Sequence, residues 1–261
     1  MIISAYILPH SPLLIPSVGR ENIIRFKHTR GSMERVALLI ANDKPETILL
    51  ITPHGMHSNS SLVLNVAQQY ILNFKDFGDF SNRLTFKPDV ETMREIQNLF
   101  VGDENLILST EEALDFGSST PLFFIGDKYS KANIIPIHTS GQDLDVHYQF
   151  GKKLQEVLVE SEKRITIIVS AELSHRHSLN SPSGFLPQAK KFDQKVIQFL
   201  QNKEYGKLLN VNKKNHEDVH ECGLRPIITL LGILDKYKHE ANLIGYEKPF
   251  GVGHLTMQIL F

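Results

Sequence analysis

A short apolar run that stops at a proline and a histidine constrains the fold of this chain more than any other stretch. Residues Glu46–Gly55 read ETILLITPHG. The run is too short for a core helix and is typical of a buried β-strand. Because Pro53 has no N–H to donate to a neighbouring strand, we expect the strand to end there. His54 should therefore stand just beyond the end of a strand.

Two other strand-like runs lead into histidines in a similar way. At Ile2–Ser11 the run IISAYIL meets a Pro-His pair that contains His10, and RITIIVS at Arg164–Ser170 is followed within five residues by His175. Ligands of parallel α/β sheets bind beyond the carboxyl ends of the strands. We therefore expect these two histidines and His54 to line one site.

Strand-like and helix-like segments alternate through most of the chain, which is typical of an α/β fold. We predict one domain, residues 1–261, with a mainly parallel central sheet flanked by helices. Besides the two runs that end in Pro-His, the predicted strands are Leu62–Ala67, Asn105–Leu108, Asn133–His138, Arg164–Ser170, Asn242–Glu247 and Val252–Leu260. The predicted helices are Glu21–Asn42, Asp89–Leu99, Asp143–Glu160, Leu186–Asn202 and Cys222–Leu234, and a loop is predicted over Leu114–Thr120.

Composition narrows the kinds of partner. With 261 residues, 22% of them charged, and a formal net charge of −1, the chain has no electrostatic feature that favours nucleic acid or an anionic membrane. No apolar run approaches the roughly 20 residues of a membrane span, and the N-terminus lacks the basic region of a signal peptide. The single cysteine, Cys222, excludes an internal disulfide and fits a reducing compartment. We expect a cytoplasmic protein.

The histidines suggest a metal site. Two histidines and one carboxylate on a single face form the facial triad of non-haem Fe(II) oxygenases. His10 and His54 would supply the nitrogens, and Glu221 is the favoured carboxylate because the dipole of the last predicted helix would keep it ionised. Asp218 and Glu217 are the alternatives. Zinc takes the same ligand types, so the triad alone does not identify the metal.

Several short motifs occur together in one order along the chain. They are Pro9–Pro16 (PHSPLLIP), Pro53–Gly55 (PHG), Ser170–Arg176 (SAELSHR), Phe192–Asp193 and Glu221–Pro226 (ECGLRP). This ordered set resembles the class III extradiol ring-cleavage dioxygenases of the catalytic-subunit-B superfamily. Within that superfamily it is most similar to the dioxygenase-like proteins of the AmmeMemoRadiSam system, which are related to Memo. The resemblance covers nearly the whole chain.

The resemblance implies roles for individual residues. His10, His54 and Glu221 match the metal ligands of the family, and His175 matches the active-site histidine that moves protons. The implied reaction is the cleavage of a small aromatic diol by O₂ beside its two hydroxyls, with Fe(II) as the metal and Zn(II) as the alternative. The expected partners are thus the diol and O₂, without nucleic acid or membrane, and a homo-oligomer is compatible with this reading.

One position departs from the family pattern. Ring-cleaving relatives usually have a histidine after the aspartate of the loop Leu114–Gly117, and this chain has Phe116, which offers no hydrogen bond. That favours a second hypothesis, a Memo-like metal-binding protein without ring cleavage that acts with a partner or with zinc. A zinc hydrolase is a third class, for which no carboxylate can be assigned as the general base.

Three other residues have simple structural interpretations. Cys222 is expected to be a small buried residue at a helix start, although its thiol could also ligate a metal. His254 is expected to be a core or sheet-face residue, although residues Gly251–Gly253 could bring it near the site. Asp193 is expected to orient a neighbouring group.

Overall fold

The computed structural model describes residues 1–81, 83–211 and 213–261, and the side chains of all of these except 213–215. The strands are β1 (Ile2–Leu8), β2 (Thr47–Thr52), β3 (Leu62–Asn65), β4 (Tyr70–Ile71), β5 (Thr85–Phe86), β6 (Leu106–Ser109), β7 (Asn133–His138), β8 (Ile165–Ser170), β9 (Glu240–Glu247) and β10 (His254–Leu260). The α-helices are α1 (Pro16–Gly19), α2 (Lys27–Asp43), α3 (Val90–Leu99), α4 (Phe116–Lys128), α5 (Leu144–Glu160), α6 (Ala189–Gln201), α7 (Tyr205–Leu209), α8 (Lys213–Asp218) and α9 (Leu224–Ile233).

An eight-stranded sheet forms the centre of the fold, in the order β6-β3-β7-β2-β8-β1-β10-β9. The four strands β7, β2, β8 and β1 run parallel to one another. β10 and β9 extend one side of the sheet in antiparallel fashion, and β3 joins the other side antiparallel to β7. Every residue of β2 and of β8 is buried, as expected of parallel strands that are covered on both faces.

Helices cover the two faces of the sheet in pairs. α2 packs against α4, α5 packs against α9, and both pairs contact the central strands. Two glycines allow α5 and α9 to approach closely. A Cβ atom at Gly151 would lie 2.1 Å from the carbonyl oxygen of Thr229, and one at Gly232 would lie 2.2 Å from that of Tyr148. Side chains at either glycine would force the helices apart.

The predicted architecture, an α/β domain with a mainly parallel central sheet between helices, is confirmed. The last two predicted strands correspond to β9 and β10, which form an antiparallel pair. Asp89 caps the helix that follows it by accepting a hydrogen bond from the N–H of Thr92.

The predicted loop over Leu114–Thr120 is wrong, because α4 begins at Phe116. Asp115 is the N-cap residue and accepts a hydrogen bond from the N–H of Ser118 at 3.0 Å. Glycine, serine and threonine have low helix propensity, and these residues hid the helix in the sequence. Burial against α2 and the sheet outweighs that propensity, since residues 117–122 are all buried.

Two predicted helix starts also differ from the structure. Residues Arg20–Phe26 form a 3₁₀ turn before α2 rather than part of that helix. The last predicted helix begins at Leu224 instead of Cys222, so Cys222 lies in the loop before α9. Within the three described ranges, no helix combines the length and the apolar character that crossing a bilayer requires.

Candidate metal centre

Three potential metal-ligating atoms meet beyond the carboxyl ends of the central strands. The Nε2 atoms of His10 and His54 lie 3.1 Å apart, and the Sγ atom of Cys222 lies 3.4 Å from the Nε2 atom of His10. All three atoms lie within 4.8 Å of one another. The predicted convergence of the two Pro-His segments is therefore present in the structure, and a thiol stands beside them.

Strand register explains the convergence. Leu8 of β1 pairs with Ser170 of β8, so His10 and Glu172 each follow that pair by two residues. Ile51 of β2 pairs with Val169 of β8, which places His54 at the same level. Because the three strands are parallel neighbours, their first residues beyond the sheet meet at one edge.

A hydrogen-bond relay fixes the tautomer of His10. The hydroxyl of Ser170 donates to the carbonyl oxygen of Gly117 at 2.6 Å, so its oxygen is left to accept. The Nδ1 atom of His10 lies 2.7 Å from that oxygen and must be the donor. The Nε2 atom of His10 then carries a lone pair that faces His54 and Cys222, as a metal ligand requires.

Burial keeps both imidazoles neutral. It lowers the pKa of His10 to about 3, against the opposing effect of Glu172, and it lowers the pKa of His54 as well. The ring of His54 lies against Phe116 with ring centroids 4.2 Å apart, and Phe77 contacts Phe116 in turn. The neutral imidazole is the form that binds a metal ion.

The thiol of Cys222 is protonated in the metal-free site. Desolvation raises its pKa well above the usual value, and the carboxylates of Glu172 and Glu221 act in the same direction. A thiolate forms in such a site only when a cation displaces the proton.

Glu172 is the carboxylate nearest to the histidines. Its Oε2 atom lies 3.8 Å from the Nε2 atom of His10 and 3.5 Å from that of His175, and its Oε1 atom lies 3.3 Å from the Nε2 atom of His254. Burial acts to raise the pKa of Glu172, but the surrounding imidazoles lower it well below the usual value. The side chain therefore brings a negative charge into the pocket.

Glu221, the predicted carboxylate ligand, has other partners. Its Oε2 atom accepts a hydrogen bond from the N–H of Leu224 at 2.6 Å, and its Oε1 atom lies 3.2 Å from the Nδ1 atom of His216. It caps the first turn of α9 and is not part of the group that His10 and His54 form with Cys222. The alternatives, Asp218 and Glu217, are exposed.

His175, the predicted proton-transfer residue, lies at the open side of the cluster. Its side chain is 24% exposed and its Nε2 atom lies 3.9 Å from the Sγ atom of Cys222. It borders a cavity of about 390 Å³ that His216, His220 and Arg225 also line. Of the strand-end cluster of His10, His54, Glu172, His175 and Cys222, His175 is the residue that lines this cavity.

A buried polar network holds the loop that carries His175. Asp193 accepts a hydrogen bond from the N–H of Ser174 at 3.0 Å, and its Oδ2 atom lies 2.7 Å from the Nε2 atom of His177 and from the hydroxyl of Tyr246. The prediction that Asp193 orients neighbouring groups agrees with these contacts. They fix the backbone on both sides of His175.

Sequence reasoning gave too little weight to two residues of this cluster, Glu172 and Cys222. The register of β1 and β8, which only the structure shows, identifies Glu172, since Glu172 follows Ser170 by the same two residues that separate His10 from Leu8. Nothing comparable pointed to Cys222, because it reaches the site from a loop that no strand register places.

The fold and the strand-end cluster define the chain as an α/β protein with a candidate site for a metal ion. The family model described as the catalytic LigB subunit of aromatic ring-opening dioxygenase matches residues 4–257. The chain belongs to this family, which confirms the resemblance deduced from its motifs.

Two relatives and one solved structure are similar to this chain. The chain is 31% identical over 265 aligned residues to Protein CA_C1420 of Clostridium acetobutylicum, an alignment that covers 97% of this chain and 56% of the relative. It is 28% identical over 148 residues to a MEMO1 family protein of Methanococcoides burtonii, covering 55% of this chain and 51% of the relative. The chain thus spans about half the length of these relatives. The crystal structure of the uncharacterized protein JW3007 from Escherichia coli K12 shares the fold, with a TM-score of 0.68, 15% identity and coverage of 98% and 99% of the two chains.

Proposed function

We propose that this chain is a Memo-like metal-binding protein whose ion is held by His10, His54 and Cys222. The observation that carries the proposal is the convergence of two imidazole nitrogens and one sulfur within 4.8 Å. In this proposal the third protein ligand is a thiolate instead of the carboxylate of Glu221, because the oxygens of Glu221 have other partners.

The spacing and the chemistry of the donor atoms fit a first-row transition metal. A tetrahedral ion at ordinary bond lengths separates two nitrogens by about 3.3 Å and a nitrogen from a sulfur by about 3.6 Å. The corresponding distances here are 3.1 Å and 3.4 Å. Imidazole and thiolate together suit Zn(II), Fe(II) or copper, so Fe(II) and Zn(II) both stay candidates.

A bound ion would supply Lewis acidity and, where redox-active, one-electron chemistry. The chain's own residues prepare the site for it. Ser170 holds the ring of His10 in the tautomer that binds metal. The ring of Phe116 covers one face of His54, and Phe77 packs edge-on against Phe116.

A matched pair of variants tests the choice of third ligand. Cys222→Ala removes the thiol, and Glu221→Gln removes a carboxylate while it retains an oxygen that can cap α9. We expect anaerobically purified Cys222→Ala to lose its metal and Glu221→Gln to retain the wild-type content, both measured by elemental analysis. Metal loss in Glu221→Gln with full retention in Cys222→Ala would contradict the proposal.

Ring cleavage of a small aromatic diol by O₂ is the second candidate function. The family match favours it, and so does the position of His175 at the mouth of the pocket with Glu172 at 3.5 Å. An imidazole there could take a proton from a bound diol and return it later, while the carboxylate of Glu172 would stabilise the imidazolium.

Oxygen uptake separates the two functions. The iron-loaded protein is incubated with a panel of catechols, and the Memo-like function predicts no uptake. Uptake that disappears in His175→Ala, with metal content unchanged, would establish ring-cleavage chemistry instead. Phe116→His tests the departure from the family pattern, because uptake that appears only in this variant would show that the residue at this position limits catalysis.

A further inference from the structure

A second cavity, of about 610 Å³, lies between α6, α7 and the C-terminal end of α8. It shares no lining residue with the cavity beside His175, and none of the proposed metal ligands lines it. Its residues therefore have no part in the function proposed above. We call this cavity the α6 groove. Its apolar lining consists chiefly of Leu186, Phe192, Val196, Phe199 and Val211.

The α6 groove follows one face of a helix for more than two turns. The residues within α6 that line it are Lys191, Phe192, Lys195, Val196 and Phe199. They recur at spacings of three and four residues, and the stretch from the first to the last is about 12 Å long at 1.5 Å per residue. A partner helix fills a groove of this kind with apolar side chains at the same spacings.

Positive charge surrounds the apolar lining of the α6 groove. Lys191, Lys195 and Lys207 line it and are exposed, and Asp218 is the one acid that the structure places in the lining. Lys207 pairs with Glu204 at 2.7 Å. Lys191 and Lys195 form no ion pair within the three described ranges, so their charges are available to a partner.

The loop that leads into the groove exposes large apolar side chains. Leu179 is 84% exposed and Phe185, which immediately precedes the lining residue Leu186, is 48% exposed. Exposed apolar surface that polar residues surround is typical of a site of protein–protein interaction. The loop thus adds apolar contact area close to the charged groove.

We propose that the α6 groove binds an acidic amphipathic helix of a partner protein. The apolar face of that helix packs on the apolar lining, and carboxylates four residues apart pair with Lys191 and Lys195, which have the same spacing. A second copy of this chain is a poor occupant. Two copies that met symmetrically through this surface would bring the same lysines together.

The α6 groove is joined to the loop that carries His175. The carbonyl oxygen of Val219, a lining residue, accepts a hydrogen bond from the N–H of His175 at 3.0 Å. The N–H of Leu186, another lining residue, donates to the carbonyl oxygen of Arg176 at 2.9 Å. A helix in the groove would therefore contact residues that hold His175, and its binding should be detectable at that imidazole.

Fluorescence anisotropy with a labelled synthetic helix tests the inference. The probe has about 18 residues, leucines along one face and glutamates at four-residue spacing beside them, and a matched probe has lysine in place of every glutamate. We expect the acidic probe to bind and the basic probe not to bind. Lys191→Gln/Lys195→Gln should weaken binding by about 5- to 30-fold, since it removes two exposed ion pairs. Lys190→Gln, which alters an exposed lysine of α6 outside the groove, should bind as the wild type does.

Nuclear magnetic resonance of the histidine rings locates the bound probe. We expect the signal of His175 to shift when the acidic probe is added and that of His28, an exposed residue of α2, to stay unchanged.

Three results would overturn the inference: no binding of the acidic probe, equal binding of both probes, or full affinity in Lys191→Gln/Lys195→Gln. Binding of dodecanoate but of neither probe would overturn it in favour of a small amphipathic acid. Self-association that this double variant abolishes would overturn it in favour of a second copy of the chain. The metal content of the lysine variants should equal that of the wild type, so each of these results leaves the proposed function intact.

Discussion

A buried acid lies at each end of the central strands, here called the amino edge and the carboxyl edge. The two acids differ in how completely their oxygens are hydrogen-bonded. At the amino edge, Asp89 accepts hydrogen bonds from the hydroxyl of Thr47 at 2.5 Å, from the N–H and hydroxyl of Thr92, and from the ammonium group of Lys163 at 2.7 Å. At the carboxyl edge, Glu172 faces three imidazole rings, and within the described part of the chain its Oε1 atom lacks a hydrogen-bond partner.

The difference separates a structural polar cluster from a functional one. A buried acid whose partners are complete ties neighbouring elements together and adds stability. A buried acid that has an oxygen without a hydrogen-bond partner can still interact with a ligand. The amino edge should therefore govern the stability of the protein, and the carboxyl edge its capacity to bind metal.

The largest expected effect is on metal affinity at the carboxyl edge. His54→Ala removes one of three proposed ligands and should weaken metal binding by at least about 100-fold, since even the outer partners of a ligand contribute roughly 10- to 100-fold. His57→Ala is the matched control and should retain wild-type affinity. Competition with a chromophoric chelator measures the metal affinity of both variants. Equal affinities would show that the carboxyl edge does not govern metal binding.

The amino edge should show the reverse behaviour. Asp89→Asn removes the charge and places an amide N–H₂ among donors, so the free energy of unfolding should fall by about 2–3 kcal/mol, with metal affinity unchanged. Burial acts to raise the pKa of Asp89, but Lys163, Thr47 and Thr92 lower it below the usual value. Its contribution is thus present above the ordinary carboxyl pKa of about 3.9 and is lost as the pH falls through the lower folded value.

A neighbouring acid provides the control at this edge. Glu91 also pairs with Lys163, at 2.8 Å, but its side chain is 65% exposed. Glu91→Gln should change the free energy of unfolding by less than about 0.5 kcal/mol. Urea denaturation measures both variants, and equal losses would show that burial of Asp89 is not the cause.

The strand ends were readable from the sequence because each apolar run stops at a residue that breaks a strand. Pro9 and Pro53 end β1 and β2, and both histidines that follow them reach the site. The order of strands in the sheet was not readable, and without it the equal offset of His10 and Glu172 past their paired strand residues could not be recognised.

The choice of carboxylate shows where sequence reasoning stops. Both glutamates lie in the short motifs, Glu172 in SAELSHR after β8 and Glu221 in ECGLRP before α9. Only the three-dimensional structure shows that Glu221 accepts a hydrogen bond from the first turn of α9, while Glu172 lies near the histidines. Helix α4 was missed for a related reason, because tertiary burial outweighs the low helix propensity of its first turn.

A smaller effect on stability concerns His147, a histidine near the carboxyl edge that has a hydrogen-bond partner on each ring nitrogen. The Nδ1 atom of His147 lies 3.0 Å from the carbonyl oxygen of Asp143, and its Nε2 atom accepts from the N–H of Ser140 at 3.2 Å. Burial lowers the pKa of His147 to about 4. The unfolded chain binds this proton near pH 6.5 and the folded chain does not, so stability falls as the pH drops from 6.5 toward 4.

His147→Gln should remove this part of the pH dependence. Between pH 7 and pH 5, we expect the free energy of unfolding of the wild type to fall by about 2 kcal/mol more than that of the variant. His28→Gln alters an exposed histidine of α2 and should follow the wild type. Identical pH profiles for wild type and His147→Gln would show that protonation of His147 does not oppose folding.

The central claim is that a thiolate completes the metal site, and X-ray absorption spectroscopy of the anaerobically purified, metal-loaded protein tests it most directly. We expect a metal–sulfur distance of about 2.3 Å together with nitrogen neighbours at about 2.0–2.1 Å, both in the wild type and in Glu221→Gln, which should retain its metal. A wild-type spectrum that contains only nitrogen and oxygen neighbours would contradict the claim and return the third ligand position to a carboxylate.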